Sequence, residues 1–117
     1  MTDLATVQID KLEKKATLVA STLKSLSNKW RLMILCQLVK GEKSVGEILE
    51  IIDLSQSALS QHLAVLRTSG LVATRRESQS IFYSIKGPEV TIIMGALYEA
   101  FCPPTAQPKK TARRVRA

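Results

Sequence analysis

Histidine, cysteine and aromatic residues are scarce in this sequence. One His and two Cys among 117 residues cannot complete a four-ligand structural zinc site without carboxylates. Cys36 and Cys102 form no Cys-x-x-Cys motif, which excludes a thioredoxin-type redox pair. No Ser/His/Asp or paired-carboxylate arrangement is recognisable, so no enzymatic activity and no cofactor are expected. No apolar run approaches the roughly 20 residues of a membrane helix, and the Met1-Thr2-Asp3 start is unlike a signal peptide. A cytoplasmic protein without membrane contact is therefore expected, its thiols kept reduced rather than locked in a permanent disulfide. What is present is ordinary globular composition, 45% hydrophobic and 23% charged, in a length suited to one domain.

The charge is unevenly placed. The formal net charge is +7, yet most of it falls after residue 102, where Lys109, Lys110, Arg113, Arg114 and Arg116 stand without an acid. With Pro103, Pro104 and Pro108 and almost no large apolar residue, residues 103–117 read as a disordered basic tail on a folded domain over 1–102. Such a tail adds salt-sensitive affinity for DNA, or merely solubility, and defines no sequence preference.

Within 1–102 the patterning is helical, then strand-like, then helical again. Leu12, Ala16, Val19, Leu23 and Leu26 predict a first helix from about Asp10 to Leu26. Ser27 is the candidate N-cap of a second helix reaching about Val39, apolar nearly all round and hence read as central and buried. Ser44 caps a short third helix to about Asp53, with Ile48, Ile51 and Ile52 inward. Ser55 caps a fourth from Gln56 to about Thr68, with Leu59, Leu63 and Leu66 inward and Gly70 just past its end. The period then changes to two over Leu71–Arg76 and Ser80–Ile85, around a Glu77-Ser78-Gln79 tip. Gly87-Pro88-Glu89 opens a last helix with the stripe Val90, Ile93, Met94, Leu97, Tyr98 and Phe101.

The order α-α-α-α-β-β-α, mainly α with a small β-hairpin, reads as a winged helix-turn-helix. Its recognition helix would present Gln56, Ser57, Ser60, Gln61 and His62 to the major groove of double-stranded DNA. Arg67, Arg75 and Arg76 are placed to meet phosphates or a minor groove. Each of these residues alone would pass for a solvated surface; the downstream wing gives them their meaning.

Lys29-Trp30-Arg31-Leu32-Met33-Ile34-Leu35, Ser55-Gln56-Ser57-Ala58-Leu59-Ser60-Gln61-His62-Leu63, Leu66-Arg67-Thr68-Ser69-Gly70-Leu71-Val72 and Ile81-Phe82-Tyr83 together resemble the ArsR/SmtB family of bacterial winged-helix repressors. The resemblance covers about 90 residues with the outer helices. It implies a homodimer through the first and last helices, seated on a pseudo-palindromic operator. The wide apolar stripes of those two helices agree with it independently.

Members of the family commonly sense a metal, but the matching positions here lack the ligands. Ser44 stands where the metal-sensing thiol of the Glu-Leu-Cys-Val-type stretch would be, and the last helix has no His. Each cysteine by itself reads as a small buried hydrophobe. As a pair, Cys36 in the second helix and Cys102 just before Pro103 resemble the persulfide-responsive branch of the family. That resemblance implies redox sensing, with reactive sulfur species (persulfides or polysulfides) as inducer, and no metal. The remaining alternatives are a soft-metal or metalloid repressor, a regulator without inducer or an antirepressor, and a sequence-blind nucleic-acid packaging module.

Overall fold

The computed structural model describes residues 9–102; the basic tail expected over 103–117 lies outside the described residues. Five helices and a three-stranded sheet follow in the order α1 (Ile9–Leu26), α2 (Lys29–Val39), β1 (Lys43–Ser44), α3 (Val45–Ile51), α4 (Gln56–Thr68), β2 (Val72–Glu77), β3 (Ser80–Ile85) and α5 (Pro88–Phe101). This is the expected winged helix-turn-helix. No described helix is long and apolar enough to cross a membrane.

Local chemistry explains most of the boundaries. Ser44 and Glu47 form a reciprocal capping box at the start of α3, each side chain satisfying a backbone N–H that the first turn leaves open. Ser55 Oγ accepts from the Ala58 N–H and starts α4. That helix ends in a Schellman motif: Leu71 N–H donates to Leu66 O, Gly70 N–H donates to Arg67 O, and Gly70 takes φ +78°, a conformation costly for residues with a Cβ. Pro88 opens α5, where its missing N–H costs no helical bond.

Two local expectations are corrected. The N-cap of α2 is Asn28, not Ser27: Asn28 Oδ1 accepts from the N–H groups of Trp30 and Arg31, while the Ser27 N–H turns back to Lys24 O. Ile51 is exposed, and Ile48 and Ile52 alone among the three isoleucines are buried. Helix α3 ends at Ile51, and the extended backbone of Ile52 points its side chain inward instead.

The core gathers Leu26, Ile34, Leu35, Leu38, Ile48, Ile52, Leu59, Leu63, Leu66, Leu71, Val72, Val90 and Met94. Every element except β1 and β3 gives at least one buried residue or flanks one, and α4 supplies a full stripe. In the sheet the order is β1-β3-β2, all antiparallel. Strand β1 was not foreseen, because two residues are too few to show a period; it pairs Lys43 with Tyr83 and Ser44 with Phe82.

Of the first-helix stripe, only Leu26 is buried. Ile9, Leu12, Leu18, Val19 and Leu23 are exposed on α1, as are Ile92, Leu97, Tyr98 and Phe101 on α5. Isolated apolar residues on a surface are common, but two long stripes on the outer helices form more uncovered apolar surface than a small monomer ordinarily shows.

Candidate nucleic-acid interface and dithiol pocket

Helix α4 separates its faces cleanly. Leu59, Leu63 and Leu66 are buried and fix the helix to the core. At 3.6 residues per turn, Gln56, Ser57, Ser60, Gln61, Ala64, Arg67 and Thr68 share one face, and all of these side chains are exposed. This polar face holds five of the expected DNA-contacting residues: Gln56, Ser57, Ser60, Gln61 and Arg67. His62 falls on another flank. It is half-buried, with Nδ1 lying 3.4 Å from Arg31 Nη1, while the Arg31 Nε donates to Ser25 O at 2.5 Å. The Ser25 and Ser69 hydroxyls meet at 2.7 Å, joining the end of α1 to the end of α4.

The two adjacent wing arginines part company. Cross-strand pairing of Thr74 with Tyr83 and Arg76 with Ile81 places those four on one face of the hairpin, since neighbours along a strand alternate. Arg75 pairs with Phe82 and lies on the other face. There its guanidinium donates to both Glu42 carboxylate oxygens, at 2.7 and 3.0 Å, and to Glu77 at 2.9 Å, with its carbon 4.8 Å from the Phe82 ring centre. These bonds hold the Arg75 pKa further above its already high value, and hold the Glu42 carboxyl below its usual range. A phosphate approaching Arg75 would have to displace two carboxylates. Arg76 has no carboxylate partner among the described residues.

At the other end of the molecule, Cys36 and Cys102 line one cavity of about 520 Å³, together with Gln37, Val39, Lys40, Met94, Gly95 and Tyr98. The two thiols thus line a common cavity, in an environment that differs from the buried one expected of each. Both are exposed rather than buried, because the inward face of α2 is taken by Ile34, Leu35 and Leu38. Although it reaches the surface, Cys36 sits in a concave, mostly apolar setting. Partial desolvation pushes its thiol pKa up, the nearby Cys102 adds to this, and the Lys40 ammonium opposes it. Lys40 was missed in the sequence; its place four residues after Cys36 was the available signal, since that spacing stacks side chains on one helix face. No group of three or more His, Cys, Asp or Glu side chains able to hold a metal forms among the described residues.

Residues 28–74 match the family model described as bacterial regulatory protein, arsR family. The chain is similar to the transcriptional activator HlyU of Vibrio cholerae, 44% identical over 98 residues that span 84% of this chain and 91% of the relative. The solved structure of reduced HlyU superposes with a TM-score of 0.76, covering 80% of this chain and 99% of that one, at 45% identity. A biofilm growth-associated repressor of Agrobacterium fabrum is 44% identical over 102 residues, 87% of each chain. A homodimeric winged helix-turn-helix DNA-binding domain from Mycobacterium bovis, described as a possible ArsR-family regulator, is 31% identical with a TM-score of 0.70, covering 80% of this chain and 86% of that one.

Proposed function

Since the chain belongs to the ArsR family of bacterial transcriptional regulators, we propose that it is a homodimeric, operator-binding repressor whose grip on DNA is switched by persulfide oxidation of Cys36 and Cys102. The observation that carries the switch is the single apolar cavity lined by both thiols. Its work is binding and switching, with no catalysed reaction, no cofactor and no metal, on DNA in the cytoplasm.

In the DNA-bound state, the polar face of α4 enters the major groove. Gln56 and Gln61 can pair with adenine edges, Ser57 and Ser60 with bases or phosphates, and Arg67 and Arg76 with phosphates. His62 acts through Arg31 as a brace for α4 rather than as a base reader, and Arg75 braces the wing through Glu42. The exposed stripes of α1 and α5 cover one another across a two-fold axis. The homodimeric M. bovis domain supports that assembly. Two half-sites would then lie about one helical turn apart.

The switch begins when one thiolate takes the outer sulfur of a low-molecular-weight persulfide RSSH and releases RSH, leaving a protein persulfide. The second thiol attacks the inner, protein-bound sulfur and expels H₂S. Overall, two protein thiols and RSSH give a disulfide, RSH and H₂S: the thiols are oxidised and the sulfane sulfur is reduced. Two or three RSSH molecules give a tri- or tetrasulfide by the same exchange, with one H₂S and two or three RSH released. A plain disulfide requires Cα atoms about 4.4–6.8 Å apart; a longer sulfur chain relaxes that demand and distinguishes persulfides from peroxides, which bring no sulfur. Joining the ends of α2 and α5 shifts the outer helices relative to the reading helix, and a coupling of about 1–3 kcal/mol suffices to alter operator occupancy.

The test is a titration of reduced protein into its own upstream DNA, with unrelated competitor, before and after glutathione persulfide. Specific binding lost on treatment, regained with a reductant, and insensitive to treatment in a Cys36→Ser, Cys102→Ser protein is the expected result. A double variant that still responds overturns the dithiol switch and leaves a regulator without it.

A further inference from the structure

Between α4 and the wing lies a second concavity of about 360 Å³, lined by Ser60, Ala64, Arg67, Thr68 and Tyr83. Its chemistry differs from that of the dithiol pocket: three hydroxyls and one guanidinium face it, with Ala64 leaving room at the centre. The helix side is set by spacing, since residues 60, 64, 67 and 68 stack along one face over two turns. The wing side is set by sheet register. Tyr83 is half-buried against the core, and its partners Lys43 on β1 and Thr74 on β2 lie on the same face of the sheet. Arg76 follows on that face toward the hairpin tip.

The sheet also sorts its charges. Glu42 and Glu77 are drawn to the opposite face by Arg75. The face toward α4 therefore keeps its cations, Lys43 and Arg76, and no strand carboxylate. Arg67 has no carboxylate within ion-pair distance among the described residues. Hydroxyl donors and a guanidinium converging on a space from which acids have been removed make a site for an anion with several acceptor oxygens.

Geometry selects which anion. One phosphodiester strand separates the major groove from the adjoining minor groove. With α4 in the major groove and the hairpin on the minor groove beside it, that strand has to cross the space between helix and wing. We infer that the notch lined by Ser60, Arg67, Thr68 and Tyr83 is the seat of a single DNA backbone phosphate, gripped jointly by the recognition helix and the second wing strand. The inference rests on the DNA-binding reading and deepens it, because it assigns Tyr83 and Thr68 to the interface and gives the wing a positioning role at its base. A phosphate held from both elements fixes the depth and angle at which α4 enters the groove, without reading a base.

The experiment measures binding of full-length reduced protein to two duplexes, its own upstream DNA and an unrelated sequence, over a series of salt concentrations. Arg67→Gln should weaken both and make the plot of log affinity against log salt shallower by about 0.9, the signature of one lost phosphate contact. Tyr83→Phe keeps the ring in place and removes only the hydroxyl; it should weaken both duplexes equally, roughly tenfold, with the slope unchanged. Thermal melting of the variants checks that both remain folded. Wild-type affinity and slope in both variants, or a loss confined to the preferred duplex, would overturn the phosphate seat. Wild-type protein lacking any preference for its own upstream DNA would instead overturn the regulator reading, while the variants' slopes still decide the notch.

Discussion

The edge formed by α4 and the wing and the end formed by α2 and α5 solve opposite problems. At the reading edge the apolar side chains are spent inside this chain: Leu59, Leu63 and Leu66 are all but inaccessible, both ends of α4 are capped, and what faces outward is polar. At the thiol end the apolar side chains are left over. Along α5, Phe101 is 78% exposed and Ile92 68%, and both cysteines that line the cavity against that helix are exposed. One region is complete and can hold side chains still while a partner docks. The other is incomplete, is suited to a second subunit, and keeps reactive groups within reach of small molecules. The proposed switch needs that division, since a thiol buried like Leu63 would meet no oxidant, and a reading helix as uncovered as α5 would hold no fixed angle.

The most disruptive way to break the comparison is to loosen the complete region from within. Leu63→Ala removes a side chain that is 1% exposed and should cost about 2–5 kcal/mol of stability by urea unfolding, with DNA binding falling in parallel. A cost below 1 kcal/mol would mean that α4 is not anchored as described. A smaller effect on folding, but a plain one on assembly, is expected from Ile92→Asp. Its side chain is already in water in the single chain, so subunit stability should change by no more than about 0.5 kcal/mol. The dimer should dissociate at least tenfold more readily in sedimentation experiments, as for truncation of an interface hot spot. Unchanged self-association would remove α5 from the interface.

The mildest test sharpens the division within the wing. Glu42 carries a depressed pKa because Arg75 donates to it. Its contribution is therefore fully present above the unfolded value of about 4.3 and is lost as pH falls through the lower folded value. Both partners are well exposed, and salt screens them. Glu42→Gln should leave global stability at neutral pH nearly unchanged and should flatten the response of the wing's amide signals to acidification below pH about 4.3. In DNA titrations it should raise affinity slightly on all sequences, because Arg75 then has one carboxylate fewer holding it. An acid response identical to that of the wild type would show that the ion pair does not hold the wing in solution.

How much of this was legible beforehand depended on the range of the signal. The caps at Ser44 and Ser55, Gly70 after α4 and Pro88 at the start of α5 are local chemistry, readable because each side chain answers a backbone group a few residues away. The error at Ser27 is of the same kind: two adjacent residues were both competent caps, and the backbone chose Asn28, whose carbonyl oxygen reaches two N–H groups. The stripe of α4 was readable for the same local reason, and with it the polar face that opposes it. Misreading Cys36 as buried had a different source. A helix apolar nearly all round gives no indication of which side the rest of the chain will cover, and covering is decided by β3, α1, α4 and α5 together.

Thus the sequence by itself determined the order of helices and strands, the winged helix-turn-helix class, the polar face of the recognition helix, and the two outer helices whose apolar stripes exceed what one chain can bury. These follow from periods and caps, interactions that act over a few residues and hold wherever the segment lies. Only the tertiary structure decided that Glu42 meets Arg75 across 33 residues, that Tyr83 faces Arg67 over a common notch, and that Cys36 and Cys102 share a cavity with Lys40. Those meetings arise because burying one set of leucines and isoleucines brings distant segments to fixed places, and no local propensity encodes which distant side chains arrive together.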